Sequence, residues 1–396
     1  MTEPRLTPAD EREINLLQTS GFLAERNGPT MQFSIYSELQ SWPGKTQRQI
    51  YDEALEQLVN ADRLGYSAYA IIEHFFFPKF GASPNPFAFF AKASERTKNI
   101  KFRTLVHVLP YHNPAILASQ IAAFDVLVDG RYEFGLGRGH AWLALKAGVP
   151  VEETRERYEE SFRILTELLA NERFSHDGTY YKVEDSHIVP RPEADRKFRI
   201  FLGGTSDSTY ELAGERGYAM VVPPLLPYEA LREQLDIYRA SCARHGNDPD
   251  IVWIHAVHLD EDRDTAKREA EQMMRGFLKG NASVLLENAD EMASKERLEA
   301  SGYGFYSSGI MEQLSDMPYD EMIEKDVVWV GTPQDVIERI EAVQELCEGL
   351  TEVAITVNPG GVEHWKSIKT QELFAAHVMP HFKTGARRKE AEPALA

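Results

Sequence analysis

Apolar and polar positions follow two alternating periods along most of the chain. Short runs rich in β-branched and aromatic residues recur at 31–36, 67–72, 101–109, 131–136, 198–202, 218–222, 251–259 and 353–357. Between them apolar residues return every three or four positions, the period of a helix buried on one face. The stretch 45–64 shows this well. Ile50, Ala54, Leu58 and Ala61 share a face, and Gly65 follows where a helix end favours a left-handed residue. The same spacing predicts helices over 86–97, 114–128, 151–170, 206–214, 228–245, 263–279, 333–347 and 365–381. Pro114 suits a first helical position, where its missing N–H costs nothing.

Two stretches break the rhythm. Asp177-Gly178 between aromatic residues predicts a hairpin insertion at about 174–192. Residues 280–327 are of mixed character and predict a lid-like insertion. Residues 1–30 are polar and irregular and read as an N-terminal extension; 383–396 read as a charged tail. What remains, 31–382, is a series of strands each followed by a helix, which implies a parallel α/β sheet. Eight such units without a linker or a change of composition favour one closed TIM (β/α)8 barrel over two open sheets.

Composition narrows the function. The 396 residues are 43% hydrophobic and 27% charged, which excludes collagen-like, disordered and disulfide-scaffold classes. The two cysteines, Cys242 and Cys347, have no metal-ligand spacing. The N-terminus has no signal-like apolar segment, and no apolar run approaches the roughly 18 residues of a membrane helix, so a cytoplasmic protein is expected. A formal net charge of −19 argues against nucleic acid or an anionic membrane as partner.

In a barrel of this kind the chemistry lies just beyond the C-terminal ends of the strands. After the second strand comes Glu73-His74, and after the third Tyr111-His112-Asn113. The fourth is followed by the glycine-flanked Arg138 and His140, the fifth by Gly203-Gly204-Thr205-Ser206-Asp207-Ser208-Thr209. The fifth-strand cluster runs into a helix. Its glycines let backbone N–H groups approach an anion, its hydroxyls donate, and the helix N-terminus adds a favourable dipole. Arg138 offers a fork of donors matched to phosphate oxygens. Together these predict a phosphate site, although glycines that merely turn the chain and serines that merely cap a helix are the simpler alternative. Neither cluster is a Walker A loop, and Gly135 to His140 departs from GxGxxG at its last position, so no nicotinamide site is expected. His74, beside Glu73, is the candidate for proton chemistry. The alternative is a histidine that only satisfies buried hydrogen bonds. Glu73 and the histidines lack the tight spacing of a metal site, so no metal is expected. The aromatic runs at 75–77 and 87–90 suit core, or a pocket for a flat ring.

Taken in order, several motifs resemble the bacterial-luciferase-like flavin-dependent monooxygenases. They are EH (Glu73-His74), VLPYHNP (108–114), DVLVDGRYEFGLGRG (125–139), FLGGTSDSTYELAGERGYAM (201–220), VGTPQDVIERI (330–340) and FAAHVMPHF (374–382). The match runs from about 31 to about 382. The resemblance implies a TIM-type barrel and reduced FMN used as a diffusible co-substrate with O2. Through a flavin C4a-hydroperoxide the enzyme would oxidise a small, apolar organic substrate, and a separate reductase would supply the flavin. It assigns the flavin phosphate to Arg138, Gly204, Thr205, Ser206 and Thr209, and a catalytic role to His74. Glu73 and Leu105 would adjoin the cofactor. Phe75 replaces the second histidine of the family's Glu-His-His. The bond between Leu105 and Val106 matches an unusual cis peptide of relatives, and a homodimer is expected by analogy. Three alternatives stay open: a deazaflavin-dependent oxidoreductase on the same barrel, a non-catalytic flavin-binding protein, and a metal-dependent barrel hydrolase.

Overall fold

The structure, a computed structural model, describes residues 31–193, 195–226, 228–287, 295–304 and 310–383. The expected extension over 1–30 and tail from 384 lie outside the described residues, as do 288–294 and 305–309 of the expected lid.

Eleven strands are described: β1 (Gln32–Ser37), β2 (Ala68–Ile71), β3 (Lys101–Val108), β4 (Tyr132–Gly137), β5 (Phe174–Asp177), β6 (Lys182–Ser186), β7 (Ile200–Gly203), β8 (Ala219–Val222), β9 (Ile251–Leu259), β10 (Trp329–Gly331) and β11 (Leu350–Thr356). The order β9-β11-β1-β2-β3-β4-β7-β8 closes on itself where β8 pairs with β9. Every pairing around the ring is parallel, with registers such as Ile35↔Tyr69 and Phe102↔Tyr132. This is the eight-stranded TIM barrel. β5 and β6 form a separate antiparallel hairpin inserted between β4 and β7. β10 adds outside the ring against β9. The apolar run Val327–Val330 carries it, at the border of the mixed stretch 280–327, where three strand residues are too few to show a period.

Local chemistry explains the helices. Thr46 and Gln49 form a reciprocal capping box at the start of Gln47–Leu64, and Gly65 ends that helix at φ 83°. Asn113 caps Pro114–Leu127 by accepting from Ala115 and Ile116 N–H groups. Arg263–Glu287 runs eight residues past the expected end at 279. Asn281 and Val284 continue the buried face of Met274, Phe277 and Leu278 past 279, so the mixed composition after 280 concealed an unbroken helix.

Alternation along each strand separates two cores. Outward residues such as Phe33, Tyr69, Phe102, Phe134 and Trp253 pack under the helices. Inward residues Ala70, Leu105, Phe201, Val221, Val252 and Ala354 fill the barrel. Below them Arg103, with no exposure, pairs with Glu133 at 2.6 Å and with Glu352 at 2.6 Å. Arg199 joins Glu352 at 2.7 Å, and both guanidinium groups lie over Phe201, at 4.8 and 4.4 Å from the ring centre. This ionic plug closes the floor of the barrel. Every buried charge in it has an opposite partner, as low-dielectric surroundings require.

Candidate active site

The upper end of the barrel is hollow. A cavity of about 380 Å³ opens there, within the range of roughly 300–1,000 Å³ usual for small-molecule sites. Residues at or just beyond the C-terminal ends of β1, β2, β3, β4, β7 and β8 line it, with Ile254 from within β9. Glu73, Leu105, Arg138, Gly204, Thr205, Ser206 and Thr209 are all among them. Clusters far apart in the chain therefore meet, because β7 pairs directly with β4.

One side is built for an anion. Ser206 lies in extended conformation before the helix Asp207–Arg216 and does not cap it with its side chain. Its hydroxyl instead lies 2.9 Å from Thr209 Oγ1 and 3.3 Å from Ser208 Oγ. A Cβ at Gly204 would touch Thr209 at 3.4 Å, an ordinary contact, so only the cavity itself gains from the missing side chain. Arg138 extends from the β4 end over the ring of Tyr303, 3.8 Å from its centre, and donates to the carbonyls of Ser301 and Gly302. A second guanidinium, Arg155, also lines the cavity. A Cβ on Gly302 would lie 2.5 Å from Arg155 Nη2 and 3.3 Å from Arg138 Nη1, so both cations converge on that point. Arg155 escaped sequence reasoning. It stands in the first turn of a charged amphipathic helix, Thr154–Ala170, and only the fold turns it inward. Two guanidinium groups, three hydroxyls and a helix N-terminus form a donor set suited to a phosphate dianion.

Ser301, Gly302 and Tyr303 belong to the segment expected to be a lid. Here it follows the helix Lys295–Ala300 and packs Leu298 and Tyr303 against Ala141, Ala144 and Val151. Arg297 pairs with Glu152 at the same edge.

The walls beside the anion side are apolar: Leu105, Val106, Val108 and Leu143 on one flank, Val221, Leu225, Leu226 and Ile254 on the other. The peptide bond between Leu105 and Val106 is cis, at the position the motif comparison pointed to. Val106 fills the space beside Gly137, where a Cβ would lie 2.3 Å from Val106 Cγ2.

Glu73 and His74 do different things. Glu73 reaches the cavity and accepts from Val108 N–H at 2.9 Å and from His112 Nε2 at 2.8 Å, with His107 Nδ1 at 3.5 Å. Burial would raise its pKa, but the hydrogen bonds and charge of His107 and His112 win and hold it at about 2. Among the described residues these three are the one group placed like metal ligands; Glu73 is bonded to His112, while His107 is bonded through Nε2 to the Tyr132 hydroxyl. His74 is not at the cavity surface. Its Nδ1 lies 3.2 Å from Gly81 carbonyl oxygen and its Nε2 accepts from the Trp142 indole at 3.3 Å. Phe80, His140 and Trp142 stand between it and the hollow; His140 stacks on Trp142 at 4.3 Å and 7°. Burial lowers His74 to about 4, so it is neutral at pH 7. A strand-end histidine with both nitrogens engaged cannot take a proton from a ligand without breaking one of those bonds. Sequence spacing placed it at the mouth but could not show that it faces inward behind its neighbours.

A family comparison decides the class. Residues 31–347 match the model for luciferase-like monooxygenases. The chain belongs to this family. It is accordingly an enzyme of luciferase-like monooxygenase type. It is 23% identical over 365 residues to the oxygenase component of a flavin-dependent trigonelline monooxygenase from Acinetobacter baylyi, covering 89% of this chain and 96% of that protein. It superposes on the oxygenating constituent of 3,6-diketocamphane monooxygenase from Pseudomonas putida, in complex with FMN. That match has a TM-score of 0.69 and 24% identity, covering 89% and 98% of the two chains. It also superposes on the coenzyme F420 dependent tetrahydromethanopterin reductase from Methanopyrus kandleri. There the TM-score is 0.67 and the identity 20%, covering 90% and 100%. The luciferase-like fold thus carries both flavin and deazaflavin chemistry. Among the described residues no helix is long and apolar enough to cross a membrane.

Proposed function

We propose that this luciferase-like enzyme uses reduced FMN and O2 to oxidise a small organic substrate, with the reduced flavin delivered by a separate reductase. The observation that carries this reading is the convergence of Arg138, Arg155 and the hydroxyl loop beside an apolar hollow. Arg138 and Arg155 would pair with the phosphate, while Thr205, Ser206 and Thr209 donate to it and Gly204 leaves it room. The apolar flank of Leu105, Val106 and Val108 would take the flat ring system. Bound reduced flavin supplies two electrons to O2, so that one oxygen enters the substrate and the other leaves as water.

The chain's own residues do the rest. The apolar walls exclude water, which strengthens every polar contact inside. Ser301 and Gly302 cover the anion end through Arg138. Glu73, held ionised by His107 and His112, fixes the β3 end through Val108 N–H. His74 anchors the Trp142 indole and so the His140 ring stacked on it, as a positioning group. The trigonelline relative is an oxygenase component, and the diketocamphane relative was solved with FMN, both in line with this assignment.

The fold shared with the F420-dependent reductase favours a second reading, hydride transfer with a deazaflavin. Oxygen uptake separates them. The purified protein is given chemically reduced FMN, or reduced deazaflavin, with a panel of apolar compounds. Substrate-dependent oxygen uptake with FMN supports the first reading. Reduction or oxidation of a substrate with deazaflavin alone, without oxygen uptake, replaces it with the second.

A further inference from the structure

Across the barrel mouth from the phosphate loop, a carboxyl group stands in the cavity with no role yet assigned. Glu38 follows β1, and β1 lies opposite β7 in the ring. The residue is 94% buried, at 6% exposure, and lines the hollow with Tyr36, Ile72 and Phe80. Tyr36 hydroxyl donates to Oε1 at 3.5 Å. Oε2 has no hydrogen-bond partner among the described residues. A buried oxygen of this kind costs free energy unless a ligand satisfies it.

The titratable groups that share the cavity are Tyr36 and Glu73 on the near strands, and His140, Arg138, Arg155, Tyr158, Glu159 and Tyr303 beyond. Burial, opposed only in part by the Tyr36 bond, raises the Glu38 pKa to about 8. Burial thus favours the neutral carboxyl over the carboxylate near pH 7. Tyr36 occupies Oε1, which leaves Oε2 as the atom open to a ligand.

We propose that Glu38, buried in the cavity wall with Oε2 unpartnered and Oε1 held by Tyr36, is a specificity-determining residue that donates a hydrogen bond to a neutral acceptor oxygen, a carbonyl, of the substrate. The inference deepens the proposed monooxygenase reading and rests on it. A carbonyl would satisfy Oε2 without bringing an unpaired charge into an apolar site. A site that hydrogen-bonds a substrate group rejects the analogue lacking it far more strongly than an apolar wall could.

The test uses the full-length protein saturated with oxidised FMN and three ring compounds of matched size: cyclohexanone, methylenecyclohexane and cyclohexylamine. Binding is measured by calorimetry at pH 6.5 and pH 9.5, in buffers of different ionisation enthalpy. The expected result for the wild type is cyclohexanone at least tenfold tighter than methylenecyclohexane at pH 6.5, with the preference shrinking at pH 9.5 as Glu38 ionises. Glu38→Met should reduce the preference to under about twofold. Glu38→Gln, which keeps an N–H donor, should retain it and lose the pH dependence. A preference that survives Glu38→Met, or is absent in the wild type, overturns the proposal. So does cyclohexylamine binding tightest with release of a proton, which would make Glu38 an anionic site for a cation. FMN titration of each variant keeps the two readings apart. Failure of the wild type to bind FMN refutes the flavin assignment, while ketone selectivity in the flavin-free protein still decides the role of Glu38.

Discussion

Replacing Arg138 by alanine separates the phosphate from the rest of the flavin. The side chain now spends two donors on the carbonyls of Ser301 and Gly302 and stacks on Tyr303. A phosphate would take it into charge-assisted hydrogen bonds, each worth about 1.5–3 kcal/mol. The loss of those carbonyl contacts offsets part of this gain. Arg155 also remains in place to share the dianion. The net cost of Arg138→Ala is therefore set at about 1.5–3 kcal/mol, or roughly 10- to 150-fold in FMN affinity. Riboflavin, which carries no phosphate, should bind the wild type and the variant equally, within about twofold. The assay is titration of flavin fluorescence with each protein, at low and at moderate salt. Arg138→Ala with Arg155→Ala should cost more than the sum of the single changes, because each single variant leaves the other cation to hold the shared anion. Unchanged FMN affinity in Arg138→Ala, or an equal loss for riboflavin, would refute the placement of the phosphate at this end of the cavity.

Other expectations follow from the same geometry. Glu352→Gln leaves Arg103 and Arg199 short of a buried counter-charge and should lower unfolding free energy by about 3–5 kcal/mol in a denaturant titration at pH 7. Glu352 is held at about 2 because Arg103 and Arg199 outweigh its burial. Its contribution is thus complete above the unfolded carboxylate value and lost as pH falls from about 4.5 towards 2, so the variant's stability should change less than the wild type's over that window. His74→Gln should leave FMN affinity within about twofold while substrate-dependent oxygen uptake falls, and neither protein should show a rate inflection near pH 6.5 from this ring. An inflection of the wild-type profile near 6.5 that vanishes in the variant would show that His74 titrates in turnover. Gly137→Ala drives a methyl group into Val106 and should cost about 1–3 kcal/mol in thermal denaturation and weaken FMN binding together. Normal stability and affinity would mean that the Val106 wall yields.

Much of this protein was legible in its sequence, for a physical reason. Helical and strand periods are local, so the eight strand–helix units stood out without knowledge of their partners. A parallel barrel then puts every strand end on one face, which is why Arg138 and the Gly204 to Thr209 loop could be read as one site. What the sequence could not settle depends on contacts between residues distant along the chain. Arg155 enters the site only because β4 and β7 pair across the hairpin insertion and turn the intervening helix towards the mouth. Ser301 to Tyr303 dock on Arg138 through apolar contacts with Ala141, Ala144 and Val151, which no local pattern encodes. His74 and Glu38 occupy equivalent-looking strand ends. One is sealed behind aromatic rings and the other faces the hollow, and the number of atoms excluding water from each fixes its charge. Periodicity thus determined the scaffold and which strand ends could carry chemistry. Burial and orientation, collective properties of the closed barrel, decided which of those residues can touch a ligand and in what ionisation state.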